Sequence, residues 1–154
     1  FAVSVPVKDQ SEQPGVPEDN LAKYHLIFGS RSPRAIVYMN DVAYTALTPY
    51  LNQFAGGLLF DCRPERNTAS SRDNIKAEII GAVTPRPLNR PAVYEKIIPR
   101  HFMQHKKMHY REMIDELVFS ERRLFRDPAS IKQKNSLNDN TLLSTTPWPG
   151  GERP

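Results

Sequence analysis

The chain of 154 residues is poor in cysteine, in glycine and in long hydrophobic runs. Its single cysteine, Cys62, cannot form an intramolecular disulfide, which excludes the small secreted scaffolds that disulfides stabilise. A membrane-spanning helix needs about 20 consecutive apolar residues. The most apolar stretches, 35–39 and 55–60, are far shorter. The sequence therefore predicts a protein of a reducing compartment that has no transmembrane span.

The motifs that mark common enzyme sites are also missing from the sequence. It has no P-loop, no dinucleotide-binding glycine motif, no H-E-x-x-H zinc motif, no C-x-x-C pair and no G-x-S-x-G nucleophile elbow. Glycine is too scarce for most of the loops that cradle phosphates. We therefore expect no catalytic residue and no cofactor.

Three histidines, His101, His105 and His109, follow one another at intervals of four residues. On one helix they would share a side, and two histidines with this spacing can bind one metal ion. A zinc site needs three or four converging ligands, however, and the neighbouring Lys106 and Lys107 would repel a cation. The three histidines are therefore weak metal-site candidates, and a small enzyme with a histidine-based metal site is the second alternative function.

What the chain has in quantity is proline, with 14 residues concentrated near the two ends and between 85 and 99. Proline cannot donate a backbone hydrogen bond, so proline-dense segments suit an extended chain better than helix or sheet interiors. Residues 1–20 also carry four acidic side chains against one lysine. The predicted organisation is an extended acidic arm at 1–20, a core at 21–134 and an extended C-terminal tail at 135–154.

Hydrophobic periodicity predicts an α+β core of short strands and helices. Residues 35–39 are bulky and apolar, as in a buried strand, and Asn40 is a suitable cap for a helix that Pro49 would kink. Residues 75–83 fit either a strand or a helix. The clearest element is one long amphipathic helix near 100–126, with an apolar stripe along one side.

A helix of about 25 residues would be about 38 Å long, which is more than a small core can cover. Part of its apolar stripe, including Tyr110 and Leu117, is therefore predicted to contact a partner. A basic stretch between residues 84 and 111 and a tryptophan between two prolines are further candidate contacts. The predicted partner-binding residues outside the stripe are Trp148, Arg86, Arg90, Arg100, Lys106 and Lys107.

The proline-rich ends, the small core and the missing motifs favour a non-catalytic accessory subunit of a large multiprotein complex. The first residues, Phe1-Ala2-Val3-Ser4, resemble the start that the mitochondrial matrix peptidase leaves. We therefore expect a mitochondrial location, in the matrix or peripheral to the inner membrane. The net charge is only +4, which favours a peripheral subunit of ATP synthase or of a respiratory-chain complex. Its partners would be several protein subunits, with lipid headgroups as a further candidate contact.

A mitochondrial ribosomal protein that contacts rRNA is the first alternative. The basic stretch contains Tyr94, Phe102 and Tyr110, and aromatic side chains can stack on unpaired bases while cations contact phosphates. This alternative requires all five basic residues of the predicted partner set to contact phosphate, and not carboxylates or solvent.

Overall fold

The computed structural model describes residues 2–7, 24–53, 69–130 and 137–149, and the fold is given for these residues. The helices are α1 Pro33–Gln53, α2 Ala69–Val83, α3 Arg90–Ile97 and α4 Lys107–Asp115. The strands are β1 Ala2–Val7, β2 Tyr24–Gly29, β3 Leu88–Asn89, β4 Phe125–Arg126 and β5 Leu142–Ser144. Most of the predicted acidic arm and both ends of the predicted C-terminal tail lie outside the described residues.

Strands β1 and β2 form an antiparallel pair in which Ala2 lies opposite Gly29 and Val7 lies opposite Tyr24. Valine occupies every second position of β1, and β-branched side chains favour the extended backbone. Pro6 is compatible with β1 because both strands of a two-stranded sheet are edge strands. The described part of the predicted arm is therefore extended, and it is paired in a sheet.

Helix α1 runs through the segment predicted to be a buried strand, so that prediction is wrong. Pro33 starts the helix, where its fixed φ is favourable and its missing N–H is not needed. Ile36, Asn40 and Ala43 then fall on one buried face at helical spacing. This spacing outweighs the β-branched composition and places Asn40 inside the helix, not at its cap. The helix continues past Pro49 as one element.

The ambiguous segment 75–83 is helical and forms most of α2. Ile75, Ile79 and Val83 are each at most 1% exposed and follow one another at intervals of four residues. That interval places them on one side of a helix. Ala77, which a strand would have buried beside Ile75 and Ile79, is exposed.

The proline-rich segment before the predicted long helix is not extended throughout, because two of its prolines lie where helices accept them. Asn89 caps α3 by accepting a hydrogen bond from the Ala92 N–H at 3.0 Å, and Pro91 occupies the first turn. Pro99 lies in a 3₁₀ helix, Ile98–His101, that directly follows α3. The prediction that prolines keep this segment extended is therefore wrong over α3 and the 3₁₀ helix.

The predicted long helix near 100–126 is not formed as one element. The chain passes from the 3₁₀ helix through a turn into α4, which ends in a π-helical turn, Glu116–Ser120. Met103, in the turn before α4, has a φ of 66°, a left-handed conformation that a continuous α-helix does not contain. Its N–H donates to the buried Asn40 side chain at 2.7 Å, so a contact with α1 stabilises the break.

Strand β5 is the central strand of a three-stranded antiparallel sheet and lies between β3 and β4. Leu143 pairs with Leu88 of β3 and with Arg126 of β4. Leu143 is 1% exposed, and Leu137 and Thr141 before it are also buried. This part of the predicted C-terminal tail therefore belongs to the core.

The prediction of an α+β fold is confirmed, and one hydrophobic core joins α2, α3, α4 and the sheet. Helix α1 contributes Val37 to the same core. Each buried side chain of this size contributes roughly 1.5–3 kcal/mol to folding. Within the described residues, no helix combines the length and the apolar character needed to cross a membrane. The residues of this core that have no exposed surface are Ile79, Ile98, Tyr110, Met113, Ile114 and Leu117.

Candidate interaction surface

The most exposed large hydrophobic side chains of the helices lie on the outward face of α1. Tyr38 is 76% exposed and Val42 is 59% exposed. They are four residues apart and therefore on one side of the helix, opposite the buried Ile36 and Asn40. The exposed residues of this face that carry no charge, here called the α1 stripe, are Tyr38, Val42, Thr45 and Ala46.

A groove of about 400 Å³ lies beside the α1 stripe, between α1 and α3. Val37 and Tyr38 of α1 and Pro91 and Tyr94 of α3 provide its apolar surface. The charged residues that line the groove are Arg34, Asp41, Glu95 and Lys107.

These charged residues already have partners within the chain. Arg34 Nε lies 3.0 Å from a Glu95 carboxylate oxygen and links α1 to α3. The Asp41 carboxylate accepts a hydrogen bond from the Lys107 N–H at 2.7 Å. The Lys107 ammonium lies 5.5 Å from the centre of the Tyr94 ring, which is a cation–π distance. A partner that enters the groove therefore contacts apolar surface, bordered by charged groups that already interact with other residues of the chain.

A buried polar contact fixes α1 against the turn before α4. Asn40 is fully buried, and its side chain donates to the His105 carbonyl at 2.8 Å and accepts from the Met103 N–H at 2.7 Å. A buried amide costs free energy unless it is hydrogen-bonded, so these bonds favour one orientation of α1. Because α1 forms one wall of the groove, these hydrogen bonds also fix the position of that wall.

The three histidines that are weak metal-site candidates do not form a row on one helix. His101 lies in the 3₁₀ helix, with its Nε2 2.9 Å from a Glu78 carboxylate oxygen. His105 lies in the turn, with its Nε2 2.9 Å from the Ser71 hydroxyl oxygen. His109 lies in α4, and its ring centre is 5.9 Å from that of His105. Across the described residues, no three or more His, Cys, Asp or Glu side chains are grouped so that they could hold a metal ion.

The contact between His105 and Ser71 has the residue types of a catalytic pair. Burial lowers the pKa of His105 to about 4, and the positive charge of Arg72 acts in the same direction. A serine bonded to a neutral histidine can be activated as a nucleophile, and a cleft lined by Ser71 and Asn74 lies beside the pair. Among the described residues, however, His105 Nδ1 has no hydrogen-bond partner that would orient the ring as a base. What the contact does within the fold is to link α2 to the turn before α4.

Three of the predicted partner-binding residues lie in the core, which corrects that prediction. Tyr110 and Leu117 have no exposed surface and pack in the hydrophobic cluster. Arg90 is 3% exposed; its guanidinium donates to the Leu137 carbonyl at 2.6 Å and lies 3.6 Å from an Asp115 carboxylate oxygen. The physical reason is that the apolar side of α4 packs on the core of this chain, so it is not available to a partner.

The five basic residues that the rRNA alternative requires on phosphate have different surroundings within the chain. Arg100 lies 3.6 Å from a Glu78 carboxylate oxygen, and Arg90 faces carboxylates from the interior. Two of the five residues therefore face carboxylates, and the alternative required all five to contact phosphate. The basic residues of the set that are exposed or half-buried are Arg86, Arg100, Lys106 and Lys107.

The aromatic residues of the basic stretch and the C-terminal tryptophan have different surroundings. Tyr94 is 3% exposed and Tyr110 is fully buried, so neither ring presents a face for stacking on a base. Trp148 is half-buried, and its indole Nε1 is enclosed without a hydrogen-bond partner among the described residues. The role of Trp148 as an anchor in a partner's pocket stays a prediction.

Tyr38 and Val42 are functional candidates that the sequence prediction missed. Treating residues 35–39 as a buried strand places Tyr38 inside the protein and separates it from Val42. The available signal is the four-residue spacing of Ile36 and Asn40, which places Tyr38 and Val42 on the opposite side of one helix.

No known protein family, curated protein or solved structure matches this chain at a significant level. Function is therefore inferred from the chemistry and geometry of the surface. The α1 stripe and the groove beside it are the features that bear on a protein partner.

Proposed function

We propose that the chain is a non-catalytic subunit that binds another protein through the α1 stripe and the adjoining groove. The observation that carries the proposal is that two strongly exposed hydrophobic side chains, Tyr38 and Val42, border an apolar groove. Adjacent exposed apolar groups mark contact surfaces, whereas singly exposed ones are ordinary. Tyrosine adds a large amphipathic contact area and is enriched among residues that dominate binding energy.

The partner that fits this surface is a protein chain presenting uncharged aliphatic or aromatic side chains. The α1 stripe carries no charge, and at the border of the groove Arg34 is paired with Glu95 at 3.0 Å. A strongly charged partner would lose hydration here without gaining a counter-charge. An apolar partner would bury Tyr38 and Val42 and leave the ion pair in water as part of a polar rim.

The proposed role is membership of a larger protein assembly, as the sequence predicts. That the assembly is mitochondrial, and that it is ATP synthase or a respiratory-chain complex, stays a prediction from the sequence. Subcellular fractionation of the full-length gene product, followed by sizing of the complex that contains it, checks both points.

Site-specific photo-crosslinking in cells tests the proposed surface. A photoreactive phenylalanine analogue in place of Tyr38 should give a discrete cross-linked species, because this side chain lies in the contact. The same analogue in place of Ala77, which is exposed on α2, should not. Equal cross-linking at both positions would contradict the proposal.

The partner identified in this way allows a direct affinity measurement. Val42→Glu introduces a charge into the apolar contact and should weaken binding by roughly tenfold or more. Thr45→Ser, on the same stripe, retains the size and polarity of the side chain and serves as the matched control. Unchanged affinity in Val42→Glu would exclude the α1 stripe as the binding surface.

A further inference from the structure

The order of elements from α2 to β5 points to a second kind of binding surface. The chain runs helix, strand, helix, helix, strand, strand, and β5 lies between β3 and β4 in the sheet. This is the order and pairing of a winged helix-turn-helix. In a helix-turn-helix the second helix enters the major groove of duplex DNA. Here that helix is α4. The likeness is one of topology alone, so the surface of α4 must support it.

Helix α4 packs on the core by one face and presents the other face to solvent. Tyr110, Met113 and Ile114 are fully buried on the inward side. The side chain of Arg111 is 61% exposed on the outward side, where its Nε lies 3.9 Å from an Asp115 carboxylate oxygen. At 100° per residue, the outward face of α4 consists of Met108, Arg111, Glu112 and Asp115.

The carboxylates along one flank of α4 and its π-helical turn are paired with cations of α2. Arg72 Nη2 lies 2.8 Å from a Glu116 carboxylate oxygen, and its Nη1 lies 3.6 Å from one of Glu112. Lys76 Nζ lies 2.7 Å from the other Glu116 oxygen and also pairs with Glu121. The hydrogen bond from Lys76 lowers the pKa of Glu116, so this carboxylate is ionised and compensated. Paired carboxylates repel a polyanion less than free ones would.

Cations occupy the opposite flank and the far end of the same element. Lys107 and Arg111 are exposed on the flank away from α2, and Arg122 is exposed after the π-helical turn. Fourteen Lys and Arg stand against nine Asp and Glu between residues 69 and 149. From Lys107 to the end of the π-helical turn the element is about 21 Å long. Since the major groove is about 12 Å wide, cations at the two ends can contact phosphates on both of its sides.

We propose that α4 binds in the major groove of double-stranded DNA, with Arg111 at base edges and Lys107 and Arg122 on phosphates. Arginine in this groove bonds guanine O6 and N7 in a bidentate manner. Duplex RNA is a poorer ligand because its major groove is too narrow for a helix to enter. Single-stranded RNA is a poorer ligand because two of the three aromatic rings of the basic stretch, Tyr94 and Tyr110, are buried and cannot stack on bases, and the third, Phe102, is half-buried. DNA binding is proposed in addition to protein binding through the α1 stripe; Arg111 and Arg122 lie outside the groove between α1 and α3, whereas Lys107 also lines it.

Fluorescence anisotropy of the full chain with a labelled DNA duplex of about two helical turns tests the proposal. The unaltered protein should bind with a Kd on the order of 10⁻⁵ M at physiological salt, and the logarithm of affinity should fall linearly with the logarithm of salt concentration. The double variant Lys107→Gln with Arg122→Gln should bind on the order of tenfold to a hundredfold more weakly. Its salt slope should be smaller by about two, because two phosphate contacts are lost.

Two controls separate these contacts from general charge and from the α1 stripe. The double variant Arg34→Gln with Lys96→Gln removes two exposed cations from α1 and α3 and should retain DNA affinity and salt slope. Tyr38→Ser should also retain them. The proposal is overturned if the unaltered protein shows no saturable binding, if it prefers single strands or duplex RNA, or if both double variants lose affinity equally. Circular dichroism of every variant confirms that a loss of binding is not a loss of fold.

Discussion

Helices α1 and α4 pack on one core, but their outward faces differ in chemistry. The outward side of α1 presents Tyr38 and Val42, and the exposed Arg34 near them is paired with Glu95. The outward face of α4 is dominated by charged residues: Arg111 Nε lies 3.9 Å from an Asp115 carboxylate oxygen, and Glu112 is paired with Arg72 of α2. The difference teaches that the position of a helix on the core does not decide its ligand. The side chains that the core leaves exposed decide it, and on that ground we propose an apolar protein surface as the partner of α1 and a polyanion as the ligand of α4.

The largest effect on stability is expected from shortening a buried side chain in the π-helical turn that follows α4. Leu117→Ala should lower the free energy of unfolding by about 2–5 kcal/mol, because it leaves a cavity in a core where Leu117 is fully buried. Phe119→Ala, two residues further and 38% exposed, should have a clearly smaller effect. Urea denaturation measures both. If the two variants lost the same free energy of unfolding, the burial of Leu117 would be contradicted. Leu117 would then again be a candidate partner contact.

The next largest effect is expected where α1 meets the turn before α4. Asn40→Ala leaves the buried His105 carbonyl and Met103 N–H without their side-chain partner and should cost about 2–4 kcal/mol of unfolding free energy. Thr45→Ala, exposed on the same helix, should change it by no more than about 0.5 kcal/mol. Thermal denaturation of the two variants would show whether the polar contact, and not helix propensity, holds α1 in place.

Acidification should destabilise the same region, because His105 is buried in its neutral form. Its folded pKa of about 4 lies below the ordinary value of 6.5. Its contribution is therefore fully present above pH 6.5 and is lost as the pH falls towards 4. The free energy of unfolding should fall by up to about 3 kcal/mol over that window.

His105→Gln isolates this effect from the rest of the pH dependence. The fall between pH 6.5 and 4 should be smaller in the variant than in the unaltered protein. A remainder is expected because burial also lowers the pKa of His109. Identical pH profiles from denaturation at each pH would show that His105 does not titrate in this window.

The smallest effect on stability is expected from the outward face of α1. Tyr38→Ser should change the free energy of unfolding by no more than about 0.5 kcal/mol, since the side chain is 76% exposed. The same variant should lose the protein partner and keep DNA binding. A large loss of stability would mean that Tyr38 serves folding, and the contrast between the two helices would no longer hold.

The fold class could be predicted from the sequence, but the limits of several elements could not. The four-residue spacing of Ile75, Ile79 and Val83 in the sequence is by itself compatible with a helix. The break in the predicted long helix could not be predicted from local sequence, because it depends on a hydrogen bond from the Met103 N–H to Asn40, which lies 63 residues earlier in the chain. Strand β5 could not be predicted for a similar reason, because a strand of three residues is recognisable only through its pairing with β3 and β4.

The candidate site was less predictable than the fold. The sequence predicts basic residues around α4 as partner contacts, but one of them, Arg90, is a buried structural cation. The sequence predicts that Tyr110 and Leu117 lie on one apolar stripe that contacts a partner. They do lie on one stripe, but it faces the core of this chain. Tyr38 and Val42 were not identified at all, because a wrong secondary structure for residues 35–39 removes their common face.

The sequence by itself determined that no internal disulfide can form, that no run of membrane-spanning length is present, and that charge is mildly positive. It also determined which apolar residues recur at helical spacing. Only the tertiary structure decided what covers each stripe. Periodicity shows that residues share a face, whereas burial depends on contacts between elements that are distant in sequence. For that reason the sequence alone could not show that Tyr110 and Leu117 are buried in the core while Tyr38 and Val42 are exposed on the surface.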